Sequence, residues 1–342
     1  MEYSRRILIT GGAGFIGGNL VKYMVNKYPN YLIVNYDCLT YAANLGYLMD
    51  IKDRDNYVFV NGNICDATTV AETLRKYEID GIIHLAAESH VDNSISSASP
   101  FVLTNVFGTF TMLDEARKYW AMTENGFNGK LFYHVSTDEV YGDLPLDTDE
   151  KFKETNKYFP HSPYSASKAS SDHFVRAYNR TFNLPIVISN CSNNYGPNQH
   201  HEKLIPLVIE KICRNENIPI YGKGLNVRDW LYVGDHVSAI DCIFHKGAIG
   251  ETYNIGGNNE MTNIEIVKKI ISICDKKLGR KEGESLKLIT YVSDRKGHDL
   301  RYAICADKLK NDLGWEPSKD FDDGISETID YYLIPFSQKD IK

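Results

Sequence analysis

The sequence has no apolar run long enough to span a membrane, and no Lys/Arg cluster standing apart from matching acidic residues. The first absence argues against a membrane-spanning helix. The second, with a net charge of −7, argues against a surface built for nucleic acid. Met1-Glu2-Tyr3-Ser4-Arg5-Arg6 leads straight into a strand without the apolar core of a signal peptide, so a cytoplasmic protein is expected. The seven cysteines are scattered and form no C-x-x-C, which excludes a disulfide framework and a zinc knuckle and points to reduced thiols. His200-His201 has no carboxylate or Cys at ligand spacing, so no metal is assigned. Repeats and low-complexity tracts are also missing, and 342 residues suffice for one large α/β domain or two unequal ones.

What is present begins with a strand, a glycine turn and a helix. Arg6-Ile7-Leu8-Ile9-Thr10 is a β-type run, Gly11-Gly12-Ala13-Gly14-Phe15-Ile16-Gly17-Gly18 follows it, and the next residues read as helix. Gly11 permits a tight turn, Gly14 lets the backbone approach a pyrophosphate, and Gly17 brings helix against strand. A second strand, Tyr31–Asp37, ends in an acid twenty residues past Gly17. That carboxylate can accept from both ribose hydroxyls and repels a 2′-phosphate, so NAD is expected rather than NADP.

Apolar strands at 57–61, 81–87 and 131–135, separated by helical stretches at 67–77 and 100–119, predict a Rossmann-type doubly wound parallel sheet. Such sheets place ligands at the carboxyl ends of their strands. Leu85, Ala86 and Ala87 provide small residues there, followed by Glu88-Ser89-His90-Val91-Asp92 on the same rim. The run 131–135 leads into Ser136-Thr137-Asp138-Glu139-Val140-Tyr141-Gly142, an adjacent acidic pair at a strand end. Ser162 and Pro163 then open a helix that carries Tyr164 and Lys168 four residues apart, hence on one face. One more strand is expected at 185–190, helices at 202–214, 263–277, 306–313 and 322–333, and a strand at 287–292.

The Tyr164/Lys168 pair behind a dinucleotide fingerprint resembles the active site of the extended short-chain dehydrogenase/reductases. Together with Ala86-Ala87-Glu88-Ser89-His90, Thr137-Asp138-Glu139, Asn190-Cys191-Ser192-Asn193-Asn194-Tyr195-Gly196, Asn226–Trp230 and Asp294–Asp299, nearly the whole chain resembles the dTDP-glucose 4,6-dehydratase family. The resemblance implies that Tyr164 takes the proton of the sugar C4 hydroxyl while NAD receives the C4 hydride. Lys168 binds the nicotinamide ribose and favours tyrosinate; bringing a tyrosine from about 10 to about 7 takes roughly 4 kcal/mol. Glu139 then removes the C5 proton of the 4-ketone, Asp138 as an acid protonates the departing C6 hydroxyl, the hydride returns to C6, and C5 is reprotonated. Mutual repulsion in such a pair can keep one member protonated near neutrality.

By the same carry-over, Thr137 bonds the sugar near C4, and Gly11, Gly14, Phe15, Ile16, Gly17, Asp37, Thr40, Asn63, Ile64, Leu85, Ala86, Ala87, Thr104, Tyr164, Lys168 and Asn190 hold a tightly bound NAD. Ser89, His90, Asn193, Lys203, Leu204, Pro219, Tyr221, Arg228, Asn263, Arg295 and His298 are implied around the sugar nucleotide. The implied organisation is an NAD-binding domain over 1–190, rejoined by about 228–254, and a mostly sugar-nucleotide-binding segment over 191–342. The helices at 100–119 and 164–180 resemble a four-helix dimer interface, so a homodimer is implied. Asn63, Cys38, Ala43, Asn93 and Lys296 depart from the family's usual Asp, Lys, Gly, Arg and Pro. These departures keep UDP-glucose and UDP-N-acetylglucosamine open as substrates beside dTDP-glucose, and a 4-epimerase remains an alternative activity.

Overall fold

Side chains alternate across a strand, and in β1 (Arg5–Thr10) Ile7 and Ile9 enter one apolar cluster while Leu8 enters another. The same division runs through β2 (Tyr31–Asp37), β3 (Tyr57–Asn61), β4 (Gly81–His84), β5 (Leu131–Thr137) and β6 (Ile186–Cys191). The computed structural model, which describes residues 3–337, therefore has a sheet buried on both faces. Helices Phe15–Lys27 and Val233–Lys246 cover one face, and helices Ala67–Lys76, Thr109–Ala121 and Pro163–Phe182 the other.

The remaining strands are β7 (Asn193–Tyr195), β8 (Ile218–Tyr221), β9 (Val227–Tyr232), β10 (Thr252–Ile255), β11 (Glu260–Thr262) and β12 (Ile289–Val292). The large sheet has seven strands in the order β10-β6-β5-β4-β1-β2-β3, every pair parallel. This is the expected Rossmann-type architecture. A three-stranded sheet, β11-β9-β7, and a parallel pair, β12-β8, belong to the second half of the chain. There helices Leu204–Arg214, Asn263–Lys277 and Phe321–Ser337 bury Ile209, Ile212, Ile266, Ile270, Ile325 and Ile329 around Trp230.

Register positions the site. Thr10 of β1 pairs with His84 of β4, which pairs with His134 of β5. Strands β5 and β6 then continue together through Val135/Ser189, Ser136/Asn190 and Thr137/Cys191. The end of β5 therefore stands three residues above its neighbour β4, next to the crossover point between β4 and β1.

Several elements differ from the sequence reading. Strand β4 stops at His84 rather than at Ala87, because the Leu85 and Ala86 amides donate to the Thr10 hydroxyl, both at 3.2 Å, and turn the chain out of the sheet. The helical stretch expected at 100–119 is widened to π-helix over Val102–Gly108. There Asn105 is drawn inward, accepting from the Glu88 amide (2.8 Å) and donating to the Glu88 carbonyl (2.9 Å) and the Ser167 hydroxyl (2.8 Å). The helix at 204 starts two residues late, with Lys203 as its cap. Helix Val233–Lys246 had no assignment; it packs on helix Phe15–Lys27 and delivers the chain to edge strand β10. Among the described residues no helix is long and apolar enough to cross a membrane.

Three histidines are fully buried in this fold. Burial pushes His134 down to about 4 and His236 to about 3, and it drives His84 well below its usual range. Their folded values lie below the unfolded value near 6.5, so the unfolded chain binds more protons in between. The stability they contribute is complete above about pH 6.5 and is lost as pH falls towards 4, His134 alone contributing about 3 kcal/mol. Denaturant midpoints measured across this range should fall on acidification, and His134→Asn should flatten the dependence.

Candidate active site

The glycine turn is shaped by close approach. Gly11 has φ +70°, a left-handed conformation, and a Cβ there would lie 2.8 Å from the Ala86 amide nitrogen. A Cβ on Gly17 would lie 2.1 Å from the Gly11 carbonyl oxygen, so only glycine lets the helix N-terminus close on the turn. Asp37, at the end of β2, accepts from the Ala13 amide at 3.0 Å and the Leu39 amide at 2.8 Å. It thereby fixes a carboxylate beside the turn. A cleft of about 410 Å³ runs from here over the strand ends. Gly11, Gly14, Phe15, Ile16, Gly17, Asp37, Thr40, Asn63, Ile64, Leu85, Ala86, Ala87, Thr104, Tyr164 and Lys168 all line it. Asn190 does not: it is fully buried behind the wall, donating to the Thr137 carbonyl at 3.0 Å.

At the raised end of β5 the chain turns into one 3₁₀ turn, Asp138–Tyr141, which Thr137 caps by accepting from the Glu139 amide at 3.3 Å. This cap aims two consecutive carboxyls at the cleft. Asp138 is 2% exposed and its Oδ2 has no hydrogen-bond partner, whereas Glu139 is partly open. Burial first, then the negative charges of Glu139 and Asp229, raise the Asp138 carboxyl well above its ordinary range; Arg228 opposes this only in part. Burial also raises Glu139, but Arg228, Arg295 and Lys203 all draw it back. Both carboxyls are raised, Asp138 the further of the two, because the three cations moderate only Glu139 strongly; the neighbours thus make Asp138 the better acid-form candidate of the pair.

Helix Pro163–Phe182 supplies the opposite wall. Ser162 and Ser165 form a capping box and Pro163 takes the first turn, as the sequence suggests. Tyr164 and Lys168 face the cleft, both buried. Lys168 Nζ donates to the Val135 carbonyl at 2.9 Å, and the Thr137 hydroxyl is near enough to the Tyr164 phenol to lower its proton affinity. Burial, then Glu139, raises Tyr164 well above its ordinary value. Burial lowers Lys168, while Asp172 and Cys191 hold it up.

Beyond Glu139 the cleft opens towards the second half of the chain. Ser89, Asn193 and Lys203 line it, and Lys203 Nζ donates to the Ser89 carbonyl at 3.2 Å. His90 lies 3.8 Å from Glu202. Leu204 begins its helix directly after Lys203, and Asn263 opens another after Thr262. Tyr221 of β8, beside Pro219, donates to Asp92 Oδ2 at 3.2 Å, while Arg295 reaches Asp92 Oδ1 at 3.4 Å. The His298 ring sits 6.1 Å from that of Tyr221. Arg228 lies 4.4 Å over the Tyr302 ring and donates to the Asp299 carbonyl at 3.0 Å. Three cations, Lys203, Arg228 and Arg295, therefore act together on Glu139, although of these only Lys203 lines the cleft itself.

The GDP-mannose 4,6 dehydratase family model matches residues 8–328. A dTDP-glucose 4,6-dehydratase of Escherichia coli is 50% identical over 339 residues, covering 96% of this chain and 93% of the relative. The chain belongs to the dTDP-glucose 4,6-dehydratase family. The Bacillus anthracis dTDP-glucose 4,6-dehydratase, solved in complex with NAD, superposes with a TM-score of 0.86 at 45% identity, over 99% of this chain and 100% of that one. The Streptomyces venezuelae dTDP-glucose 4,6-dehydratase DesIV, solved with NAD and dTDP, gives a TM-score of 0.86 at 41% identity over 96% of both chains.

Within this dehydratase fold the sequence reading left out several groups. His200 lines the cleft with Glu202, 3.6 Å away, so one member of the histidine pair set aside as incidental borders the cleft. Asp172 is fully buried below Lys168; its place four residues after Lys168 on one helix was the available signal. Asp143, His161 and Asp299 bring metal-type donors within 4.8 Å of one another, Asp299 lying more than a hundred positions from the other two in sequence. Its donors already serve each other and the backbone, His161 Nδ1 at 2.6 Å from Asp299 and Asp143 accepting from the Leu300 amide at 3.0 Å.

Gly17→Ala should cost roughly tenfold or more in dinucleotide affinity, about 1.4 kcal/mol, read by calorimetric titration. Unchanged affinity would show that the turn gives way where the contact distances say it cannot.

Proposed function

We propose that this protein dehydrates dTDP-glucose to dTDP-4-keto-6-deoxyglucose with a tightly held NAD, as a cytoplasmic homodimer. The observation that carries the reading is the buried Asp138 beside Glu139, in a wall facing Tyr164 and Lys168. The glycine cradle and the Asp37 carboxylate fit a dinucleotide with free ribose hydroxyls. When bound there, NAD supplies a hydride acceptor for C4 and a donor for C6.

The chain's own residues then divide the proton transfers. Tyr164, assisted by the Lys168 ammonium, takes the proton of the C4 hydroxyl, and the Thr137 hydroxyl orients the phenol and the sugar. Glu139, whose burial-raised proton affinity three cations oppose, removes the C5 proton that the 4-ketone has made acidic. Asp138 gives its proton to the C6 hydroxyl as water leaves, the role its raised proton affinity favours. Ser89, His90, Asn193, Lys203, Arg228, Arg295 and His298 take the sugar and diphosphate, and Leu204, Pro219, Tyr221 and Asn263 enclose the base. In domain terms, residues 1–190 with about 228–254 hold NAD, and most of 191–342 holds the sugar nucleotide.

Incubation with dTDP-glucose, and separately with UDP-glucose, tests the reading by product mass. Loss of one water with solvent deuterium at C5 is expected for dTDP-glucose; an unchanged mass points instead to a 4-epimerase, and turnover of UDP-glucose alone reassigns the base. Asp138→Asn should slow elimination far more than C4 oxidation, leaving bound NADH absorbance, whereas equal loss of both steps would remove the separate acid role.

The homodimer reading rests on an apolar stripe. Val102, Leu103, Phe107, Phe174 and Phe182, on two adjacent helical segments of one face, are 40–59% exposed. A second copy of the same helix pair would cover it. Sedimentation of the 38.8 kDa chain as a dimer, lost on Leu103→Glu, is the expected result.

A further inference from the structure

Helix Pro163–Phe182 repeats its chemistry at four-residue intervals: Tyr164, Lys168, Asp172 and Arg176. They lie along one face, and the first two are the groups assigned above to C4 oxidation. Asp172 is 0% exposed, remote from solvent and from the cleft lining. It nevertheless meets β5 and the loop that leads from β5 to its own helix. Its Oδ2 accepts from the Ser136 hydroxyl at 3.0 Å and the Tyr158 hydroxyl at 2.8 Å, and its Oδ1 lies 3.1 Å from His134 Nε2. Ser136 stands immediately before Thr137-Asp138-Glu139 on β5. Tyr158 comes from the loop between β5 and the helix, and it also receives an Arg176 hydrogen bond at 2.9 Å.

We propose that Asp172 is a positioning residue: its buried carboxylate is the counter-charge that keeps Lys168 an ammonium in a dry site, and so sets the alkaline limit of Tyr164-mediated proton transfer. This inference rests on the roles proposed above for Tyr164 and Lys168.

The charged and titratable groups around the pair support one direction. Facing Lys168 are Asp172 on its own helix, Cys191 from β6, and His134 and His84 from the sheet below. Burial makes both histidines neutral and raises the Cys191 thiol to about 12, so none of the three supplies charge near neutrality. Facing Asp172 are His134, Lys168, Arg176 and the phenols of Tyr158 and Tyr141. Burial pushes the Asp172 carboxyl up, but His134, Lys168 and Arg176 more than reverse this and leave it below the ordinary range. Among the described residues Asp172, one helical turn from Lys168 and buried with it, is therefore the anion left to offset the Lys168 ammonium. Replacing it by a neutral group leaves Lys168 and Arg176 as uncompensated cations on one buried helix face, and the cheaper response is for the lysine to lose its proton.

The experiment is the pH dependence of single-turnover cofactor reduction by dTDP-glucose, which reports C4 oxidation alone, in holoenzyme of known NAD content. Asp172→Asn keeps size and hydrogen-bonding groups but removes charge. Its alkaline limb should move down by about one pH unit or more, a roughly tenfold loss at high pH, with a smaller change near neutrality. Asp172→Glu should keep the wild-type limb whatever its maximal rate. A uniform loss at every pH in Asp172→Asn, or a limb displaced as far in Asp172→Glu, would overturn the proposal. Should Asp172→Asn fail to fold, Asp172→Glu decides the question: a wild-type limb supports the counter-charge and a displaced one refutes it. Wild-type holoenzyme that shows no cofactor reduction refutes the functional reading itself, and is thereby distinguished from failure of this inference.

Discussion

Four ionisable groups, Asp138, Glu139, Tyr164 and Lys168, share one largely dehydrated wall, and the fold around them is arranged to make that tolerable. A lone buried charge is strongly disfavoured. Here each is offset at a distance or left neutral. Asp138 is driven towards its acid form by burial and by Glu139 and Asp229; burial raises Glu139 too, but Arg228, Arg295 and Lys203 oppose this. Lys168 is anchored on the Val135 carbonyl, with Asp172 one helical turn further on. Two adjacent letters in sequence thus acquire unequal proton affinities, both raised but Asp138 the more, because different parts of the chain look at them.

That arrangement depends on β5 and helix Pro163–Phe182 being held in one relation. Strand β5 carries Val135, Ser136, Thr137 and the carboxyl pair; the helix carries Tyr164, Lys168 and Asp172. Contacts between them occur at successive levels, Thr137 with Tyr164, Val135 with Lys168 and Ser136 with Asp172. A rotation of the helix would disturb all three together. The π-helical segment Val102–Gly108 braces the same helix from the other side, since Asn105 holds Ser167 through its side chain and accepts from Ser171 at 2.6 Å through its carbonyl.

Much of this was legible in the sequence because its signals are local. The glycine turn, the acid ending β2, the capped helix carrying Tyr164 and Lys168, and the seven-stranded order's parallel character all follow from spacing within one or two elements. What was not legible depends on long-range meetings. The inward turn of Leu85–Ala87 needs Thr10 as a partner. Asn105 acquires its part only when helix, rim and Ser167 come together. His200 reads as a loop residue until the cleft closes beside it. Helix Val233–Lys246 was hidden because the regular strand and helix alternation lapses after β6, although its apolar residues complete the first sheet's core.

Strand β10 has a bearing on how the protein is made. It forms the outer edge of the large sheet beside β6, yet it is translated only after β7, β8 and β9 have been laid down. While the ribosome has yet to deliver residues 252–255, β6 presents an unpaired edge of backbone amides and carbonyls, which invites association with other strands. The nascent chain therefore cannot bank a finished amino-terminal half and add the remainder later. Helix Val233–Lys246 packs on the sheet through its own apolar residues, and the four residues of β10 then complete that edge. A gene fragment ending before Thr252 would yield an aggregation-prone sheet, whatever its length suggests about domain size.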